Sequence, residues 1–314
     1  MGYSTDTGWR ASLQYDYLDQ NQLRTGSHAV SSAQVAAIND AGGEQEVEHG
    51  TINRYTTFGL SYAPSVDWNL RLLVPYVDRG HSTYGTATNP ITADQLSGST
   101  ITGLGDMRFI ASYQGLLEEK SLGFQIGLKM PTGNYGGPNV DGTGIVGRHP
   151  AAFSSGPLSQ NASPGNLVDT SLQPGTGSTD VIAGIYYHRA VSDNFDAFVN
   201  GQFQAAVAHR LDQRGEDFRP GNTLTTSIGV RYEAQPGFVP QLQLNIFRKS
   251  ADQGALADNA DSAGTIAYLS PGVTLSVTSK LQAFGFVQLP IYGHLVGYQL
   301  APRWTASAGL SYAF

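Results

Sequence analysis

The stretch WNLRLLVPYVD, residues 68–78, decides the fold. Its first ten residues alternate between an apolar set and a mixed set. The apolar set is Trp68, Leu70, Leu72, Val74 and Tyr76, and the mixed set is Asn69, Arg71, Leu73, Pro75 and Val77. Side chains of a β-strand point alternately to the two faces of a sheet, whereas a helix would spread them over a period of 3.6 residues. The stretch therefore predicts a strand with one apolar face.

The same alternation recurs along the chain and predicts about twelve strands. Each segment is close to the ~9–11 residues that a tilted strand needs to cross a bilayer. The predicted strands are 7–19, 52–63, 68–80, 103–115, 121–132, 178–190, 195–210, 222–234, 239–250, 264–277, 280–291 and 298–314.

The composition agrees with a barrel that spans a membrane. Charged residues make up 14% of the 314 residues, against roughly 25% in soluble domains, and the chain has 38 Gly and no Cys. No apolar run approaches the ~18 residues that a membrane helix needs. The absence of Cys excludes a thiol nucleophile and thiolate metal sites. A net charge of −7 without a basic cluster argues against nucleic-acid binding.

The links between the predicted strands alternate in length. Outer-membrane barrels have short periplasmic turns and long extracellular loops. The sequence therefore predicts an all-β fold, a single transmembrane antiparallel β-barrel of about 12 strands over residues 1–314. The loop 133–177 is expected to be extracellular and is long enough to fold into the mouth. The short links are 64–67, 116–120, 192–194, 235–238 and 278–279, and the long links are 20–51, 81–102, 133–177, 211–221, 251–263 and 292–297.

Aromatic residues of the apolar set gather beside the short turns, as expected of a belt at a membrane interface. They are Trp9, Tyr62, Trp68, Tyr113, Tyr187, Phe195, Tyr232 and Tyr312. The chain ends with Tyr312 and Phe314, which resembles the C-terminal signal read by the barrel assembly machinery. We expect a protein of the outer membrane of a Gram-negative bacterium, exported as a precursor whose signal peptide precedes this chain. Its expected partners are outer-membrane lipids, lipopolysaccharide and the assembly machinery.

The opposite face of the strands carries the charged and amide side chains, because a lipid-facing Arg or Lys at the midplane would cost about 2–4 kcal/mol. Asp106 and Arg108 are two residues apart and share this face, and Asp106 and Asp180 are expected to pair with basic residues. Basic candidates outnumber acidic ones, which favours neutral or anionic solutes. The candidates for the pore lining are Arg10, Asp16, Arg71, Asp106, Arg108, Gln125, Lys129, Asp180, Gln202, Arg231, Gln243 and Arg303.

The polar residues of the predicted loops do not form a catalytic or metal-binding motif. Most histidines fall in loops without the spacing of metal ligands, so no metal or cofactor is predicted. An outer-membrane lipolytic enzyme is disfavoured, because it needs Ser and His on the lipid side and His188 is predicted to face inward. The loop carboxylates fit an outer surface bridged to lipopolysaccharide by divalent ions. They are Glu44, Glu46, Glu48, Asp212, Glu216, Asp217, Asp258 and Asp261.

Several short motifs resemble one family. In order they are LVPYV (73–77), GLGDMR (103–108), LKMPTG (128–133), QPGTGSTD (173–180), QLPIY (288–292), GYQL (297–300) and GLSY (309–312). Together they resemble the outer-membrane proteins grouped under the MetA pathway of phenol degradation. The resemblance spans most of the chain. It implies a bacterial outer-membrane barrel that transports aromatic or other small organic compounds, and it carries over no binding or catalytic residues.

Two functions stay open at this point. The first is a porin-like channel that lets small solutes, aromatic or anionic organic compounds among them, move passively down their gradient. The alternative is a closed barrel that serves as a scaffold for a periplasmic or surface partner. An enzyme is not expected.

Overall fold

The computed structural model describes residues 7–159 and 167–314. The polar start of the chain and part of the predicted loop 133–177 lie outside the described residues. One α-helix, α1 (Ser32–Asp40), and short 3₁₀ turns at Ala93–Gln95, Pro157–Ser159 and Thr170–Leu172 accompany the strands. The strands are β1 (Gly8–Gly26), β2 (His28–Ala29), β3 (Glu48–Ala63), β4 (Trp68–Thr83), β5 (Ser97–Leu104), β6 (Met107–Tyr113), β7 (Leu122–Met130), β8 (Tyr135–Pro138), β9 (Ile145–Arg148), β10 (Ser178–Ser192), β11 (Phe195–His209), β12 (Thr223–Tyr232), β13 (Phe238–Lys249), β14 (Gly264–Ser276) and β15 (Leu281–Ala313).

The sheet closes into an antiparallel barrel, as the sequence predicts. Eleven strands form a ring in the order β1-β3-β4-β6-β7-β10-β11-β12-β13-β14-β15, and β15 pairs again with β1. A closed ring in which all neighbours are antiparallel needs an even number of passes. The 33-residue β15 supplies the extra pass. Its first part pairs with β14, its second part pairs with β1, and the N–H of Ala313 donates to the carbonyl of Lys280 at 2.9 Å.

Three details differ from the sequence prediction. The predicted link 292–297 is a tight turn inside β15, where Gly297 takes a φ of +69°. The predicted strand 103–115 is interrupted between β5 and β6, which both pair with β4. At the break, Gly105 lies opposite Pro75, which has no N–H to donate to a neighbouring strand. The N–H of Gly105 donates to the Pro75 carbonyl at 2.8 Å. Helix α1 and the separate β8–β9 hairpin lie within predicted loops.

The outer face of the barrel is apolar along its middle, with aromatic rings at one end. Leu13 and Ile126 are 50% and 56% exposed. Beside the short turns, rings pair across neighbouring strands, with centroids 4.7 Å apart for Trp9 and Tyr62, 4.9 Å for Trp68 and Tyr113, and 5.1 Å for Phe195 and Tyr232. These pairs are directly opposite in register, where side chains interact most strongly. Towards the long loops, Arg54 and Asp78 form an exposed ion pair of 3.6 Å at the polar end of the outer face.

On the inner face, aromatic rings cover glycines of the neighbouring strand. A Cβ on Gly272 would lie 2.0 Å from the Phe286 ring, and one on Gly309 would lie 2.6 Å from Phe284. Gly229 and Phe198 have the same relation, at 2.6 Å. Glycine weakens a strand because it has no side chain to pack, and a ring laid over it restores the lost contact.

The long loops fold over one end of the barrel. Helix α1 starts at a capping box, in which Ser31 Oγ accepts the N–H of Gln34 and the Gln34 side chain accepts the N–H of Ser31. Val35 and Ala36 of the helix are fully buried in a small apolar core with Val47. No helix within residues 7–159 and 167–314 is long and apolar enough to cross a membrane.

We expect Gly272→Ala to lower the stability of the barrel by about 1–3 kcal/mol, because the new methyl group would overlap the Phe286 ring. Denaturant unfolding of the protein in detergent, followed by Trp fluorescence, measures this change. Gly285→Ala is the matched control, since a Cβ at Gly285 meets no atom within 4 Å. Equal unfolding midpoints for the two variants would contradict the packing described for Gly272.

Candidate functional site

Three buried charges form a cluster on the inner face. Lys129 Nζ lies 3.2 Å from Asp106 Oδ2 and 3.1 Å from Asp180 Oδ2, and all three side chains are buried. Arg108 and Asp180 flank Lys129 in register on β6 and β10, so three neighbouring strands place these charges side by side. The expected pairing of Asp106 and Asp180 with an inward basic residue is confirmed for Lys129. A cation between two carboxylates compensates charges that would be costly to bury alone.

The same cluster anchors both ends of the long loop. Asp106 accepts hydrogen bonds from the N–H of Gly133 at 3.1 Å and from the N–H of Thr176 at 2.9 Å. Lys129 also donates to the hydroxyls of Thr176 and Ser178. Because Asp106 satisfies backbone N–H groups from both loop ends, the loop leaves and re-enters the barrel wall at this cluster.

A second anchor holds the returning part of the loop against the inner face. Arg79 on β4 donates to the carbonyl of Leu172, to Asn53 Oδ1 at 2.5 Å and to the hydroxyl of Tyr55 at 2.9 Å. Gln173 Nε2 donates to the carbonyl of Val168 at 2.7 Å. One basic side chain thus connects two strands of the wall to the loop, and the segment around Leu172 lies within the outer part of the interior.

Amide side chains make separate contacts elsewhere on the inner wall. Gln125 donates to Gln202 at 3.1 Å across β7, β10 and β11, and Gln243 contacts Gln241 at 3.4 Å on β13. Gln204 donates to Asp180 of the Lys129 cluster at 2.6 Å. Neutral polar groups therefore continue the lining where the charged cluster ends.

The other acidic and basic candidates are distributed over the barrel. Asp16 accepts from Gln14 at 2.9 Å and from Ser307 at 2.5 Å. Arg231 contacts Asp196 at 2.9 Å and Glu233 at 3.3 Å beside a short turn. The structure does not bring these residues to the Lys129 cluster.

Four basic candidates differ in their surroundings. Arg108 interacts electrostatically with Asp180 and Asp106. Arg303 is exposed and borders a hollow of about 300 Å³ beside Pro290 and Pro302. The remaining two, Arg10 and Arg71, are half-buried on the polar faces of β1 and β4. The role of all twelve candidates in conduction stays a prediction.

A partly open space lies at the loop end of the barrel and is called the outer cavity below. It has a volume of about 310 Å³ and reaches from the loops down to Asn53 and Tyr55. Six carboxylate residues and two basic residues line it, namely Glu46, Glu48, Asp169, Asp252, Asp258, Asp261, Arg79 and Lys249. Four of the loop carboxylates predicted on the outer surface therefore line this cavity instead. The strand pattern gave no signal for this, because the position of a loop depends on its distant anchors.

Burial and mutual repulsion change the acidity of these carboxylates. Burial, followed by the charge of Asp169, raises the pKa of Glu46 to about 7. Burial, followed by the charge of Glu46, raises the pKa of Glu48 to about 8. The pKa of Asp169 is also raised, by burial and by Asp258. The outer cavity therefore gains negative charge as the pH rises through neutrality.

The described residues, 7–159 and 167–314, contain no group of three or more His, Asp or Glu side chains arranged to hold a metal ion.

Comparison with solved structures places this fold among outer-membrane β-barrels. An outer membrane channel of the COG4313 group from Pseudomonas putida F1 superposes with a TM-score of 0.64 at 13% identity, over 98% of this chain and 96% of that chain. The β-domain of the Bordetella autotransporter BrkA gives 0.51 at 10% identity, over 98% and 100%. The translocator domain of the autotransporter NalP from Neisseria meningitidis gives 0.50 at 9% identity, over 98% and 89%.

These likenesses define the class of the protein by its fold. The chain is an antiparallel β-barrel of the outer-membrane type, and barrels with different tasks share that fold. No protein-family model matches the sequence, and no curated protein matches it.

We expect Lys129→Met to destabilise the barrel by about 3–5 kcal/mol, because Asp106 and Asp180 would then face each other without a cation. Denaturant unfolding in detergent measures the loss. Adding Asp106→Asn and Asp180→Asn to this variant should recover part of it. Lys280→Met, which changes an exposed lysine at a short turn, is the control. If the Lys129→Met protein is as stable as wild type, Lys129 does not compensate the charges of Asp106 and Asp180.

Proposed function

We propose that this protein is a passive channel of the bacterial outer membrane for small solutes. The observation that carries the proposal is the polar interior of a closed barrel, which includes the Gln125–Gln202 contact, the Lys129 cluster and the outer cavity. A structural barrel does not need a cavity of about 310 Å³ lined by charged groups at one mouth. The fold shared with an outer membrane channel agrees with this proposal.

The proposed cargo is neutral or anionic organic molecules of small size, aromatic acids included. Arg79 on β4 and Arg108 on the neighbouring strand β6 contribute positive charge to one side of the interior. Fixed charges on a pore wall raise the local concentration of ions of opposite sign. The resemblance to the MetA-pathway group supports aromatic compounds as one class of cargo.

Assembly and location belong to the same proposal. The N–H of Phe314 donates to the carbonyl of Trp9 at 3.0 Å, so the terminal aromatic residue ends the strand that closes the barrel. We take Tyr312 and Phe314 as the signal for the assembly machinery, and lipopolysaccharide and lipid as the surroundings of the outer face.

A closed scaffold is the second candidate, and one observation favours it. Arg79 and Asp106 hold the loop in the outer part of the interior through its backbone atoms. A barrel filled in this way would present a surface to a partner instead of a path to a solute.

Purified protein in planar lipid bilayers separates the two candidates. We expect stepwise conductance from wild type. Deletion of 138–172 removes the Leu172 carbonyl that Arg79 holds and should give a larger unit conductance. A short glycine linker can replace the segment, because the remaining ends run close together, with the N–H of Gly175 donating to the carbonyl of Asn134 at 2.7 Å. Absence of conductance in both proteins would favour the scaffold.

We also expect Arg108→Gln to lower the anion-to-cation permeability ratio by roughly twofold, because it removes a fixed positive charge from the interior. Reversal potentials under a salt gradient measure the ratio. Arg248→Gln is the matched control, since Arg248 is exposed on the outer face of β13. An unchanged ratio in Arg108→Gln would exclude Arg108 from the conduction path.

A further inference from the structure

The outer cavity combines carboxylates from three separate parts of the chain. Glu46 and Glu48 precede and begin β3, Asp169 comes from the long loop, and Asp258 and Asp261 come from the loop between β13 and β14. Glu48 lies beyond the Arg54–Asp78 pair along β3, so the cluster sits outside the apolar band.

The two basic residues of the cavity are engaged with other groups. Lys249 Nζ lies 2.8 Å from Asp252. Arg79 donates to Asn53, to Tyr55 and to the Leu172 carbonyl. Lys249 therefore neutralises the sixth carboxylate, Asp252, and Arg79 is hydrogen-bonded to neutral groups.

Of the other five carboxylates, Glu48, Asp258 and Asp261 accept hydrogen bonds from neutral groups. Glu48 accepts the N–H of Leu300 at 3.0 Å. Asp261 accepts from Gln45 at 2.6 Å and from the N–H of Tyr298 at 2.9 Å. Among the residues that the structure describes, none of the ion pairs involves Glu46, Glu48, Asp169, Asp258 or Asp261.

A shielded group of carboxylates without cations keeps protons that isolated carboxylates would lose. Burial and the neighbouring acids raise the pKa of Glu46 to about 7 and that of Glu48 to about 8. The folded protein binds these protons more tightly than free side chains do, so both groups are neutral in acid and charged above about pH 8.

The cavity also lies on the route between the loops and the interior. Its lining continues from Asp258 and Asp261 at the loop end to Asn53 and Tyr55 on the polar face of β3. An ion that enters the barrel from this end comes within range of the carboxylates.

We propose that the carboxylate cluster of the outer cavity makes ion selectivity depend on pH, so that anions enter readily in acid and cations are favoured in base. This inference rests on the proposed channel function. Glu46 and Glu48 are then the residues that set the selectivity at the mouth, above the basic residues deeper in the interior. A change in local potential of about one kT alters the concentration of a monovalent ion roughly threefold.

The test measures reversal potentials of the full chain in planar bilayers under a KCl gradient, at about pH 5.5 and about pH 9. We expect the anion-to-cation permeability ratio of wild type to fall roughly threefold or more between the two values. In the double variant Glu46→Gln, Glu48→Gln, the permeability ratio should stay the same at both pH values and equal the wild-type ratio measured in acid. Glu44→Gln, an exposed residue of the same segment that does not line the cavity, should behave as wild type.

A second variant keeps the test decisive if the double glutamine variant does not fold. Asp169→Asn with Asp258→Asn removes charges that raise the pKa of Glu46, and it should move the midpoint of the pH dependence to lower pH. If the wild type conducts but its permeability ratio is the same at both pH values, the inference is wrong and the proposed channel function still stands. Absence of conductance in every protein, the 138–172 deletion included, would overturn the proposed channel itself.

Discussion

The pairing of β1 with β15 is the interaction on which the rest of the structure depends. Inside a bilayer no water is available for unpaired backbone groups, so a sheet that crosses it must have no free edge. Closure requires an even number of antiparallel passes. The chain meets this requirement by turning β15 back on itself at Gly297, where a positive φ permits a tight turn.

Closure also divides the side chains into two populations with different packing rules. Outward residues are apolar and meet lipid, and aromatic pairs such as Trp9 and Tyr62 mark one interface. Inward residues must fill or line a confined space. Rings such as Phe286 cover glycines, and the buried charge of Lys129 lies between two carboxylates. The abundance of glycine in this chain is consistent with that crowding.

The interior has two electrostatic levels with different balance. At the Lys129 cluster, positive and negative charges compensate each other, and the cluster holds the loop by backbone N–H groups. In the outer cavity the carboxylates are in excess, and protonation replaces ion pairing as the way to reduce repulsion. The deeper interior is therefore balanced at this cluster, with Arg79 as a further buried positive charge, and the mouth is negative at high pH.

The sequence by itself determined the barrel, its inner and outer faces and the short turns, because the two-residue alternation is a local property that each strand repeats, as residues 68–78 do. It also predicted that Lys129, Asp106 and Asp180 lie on the inner face, because alternate residues of a strand share a face. Only the tertiary structure decided where the loops lie. Glu46 and Asp258 are far apart in the chain and share the outer cavity with Asp169, which lies on a third segment that Arg79 and Asp106 hold by its backbone. Backbone partners leave no pattern in a sequence.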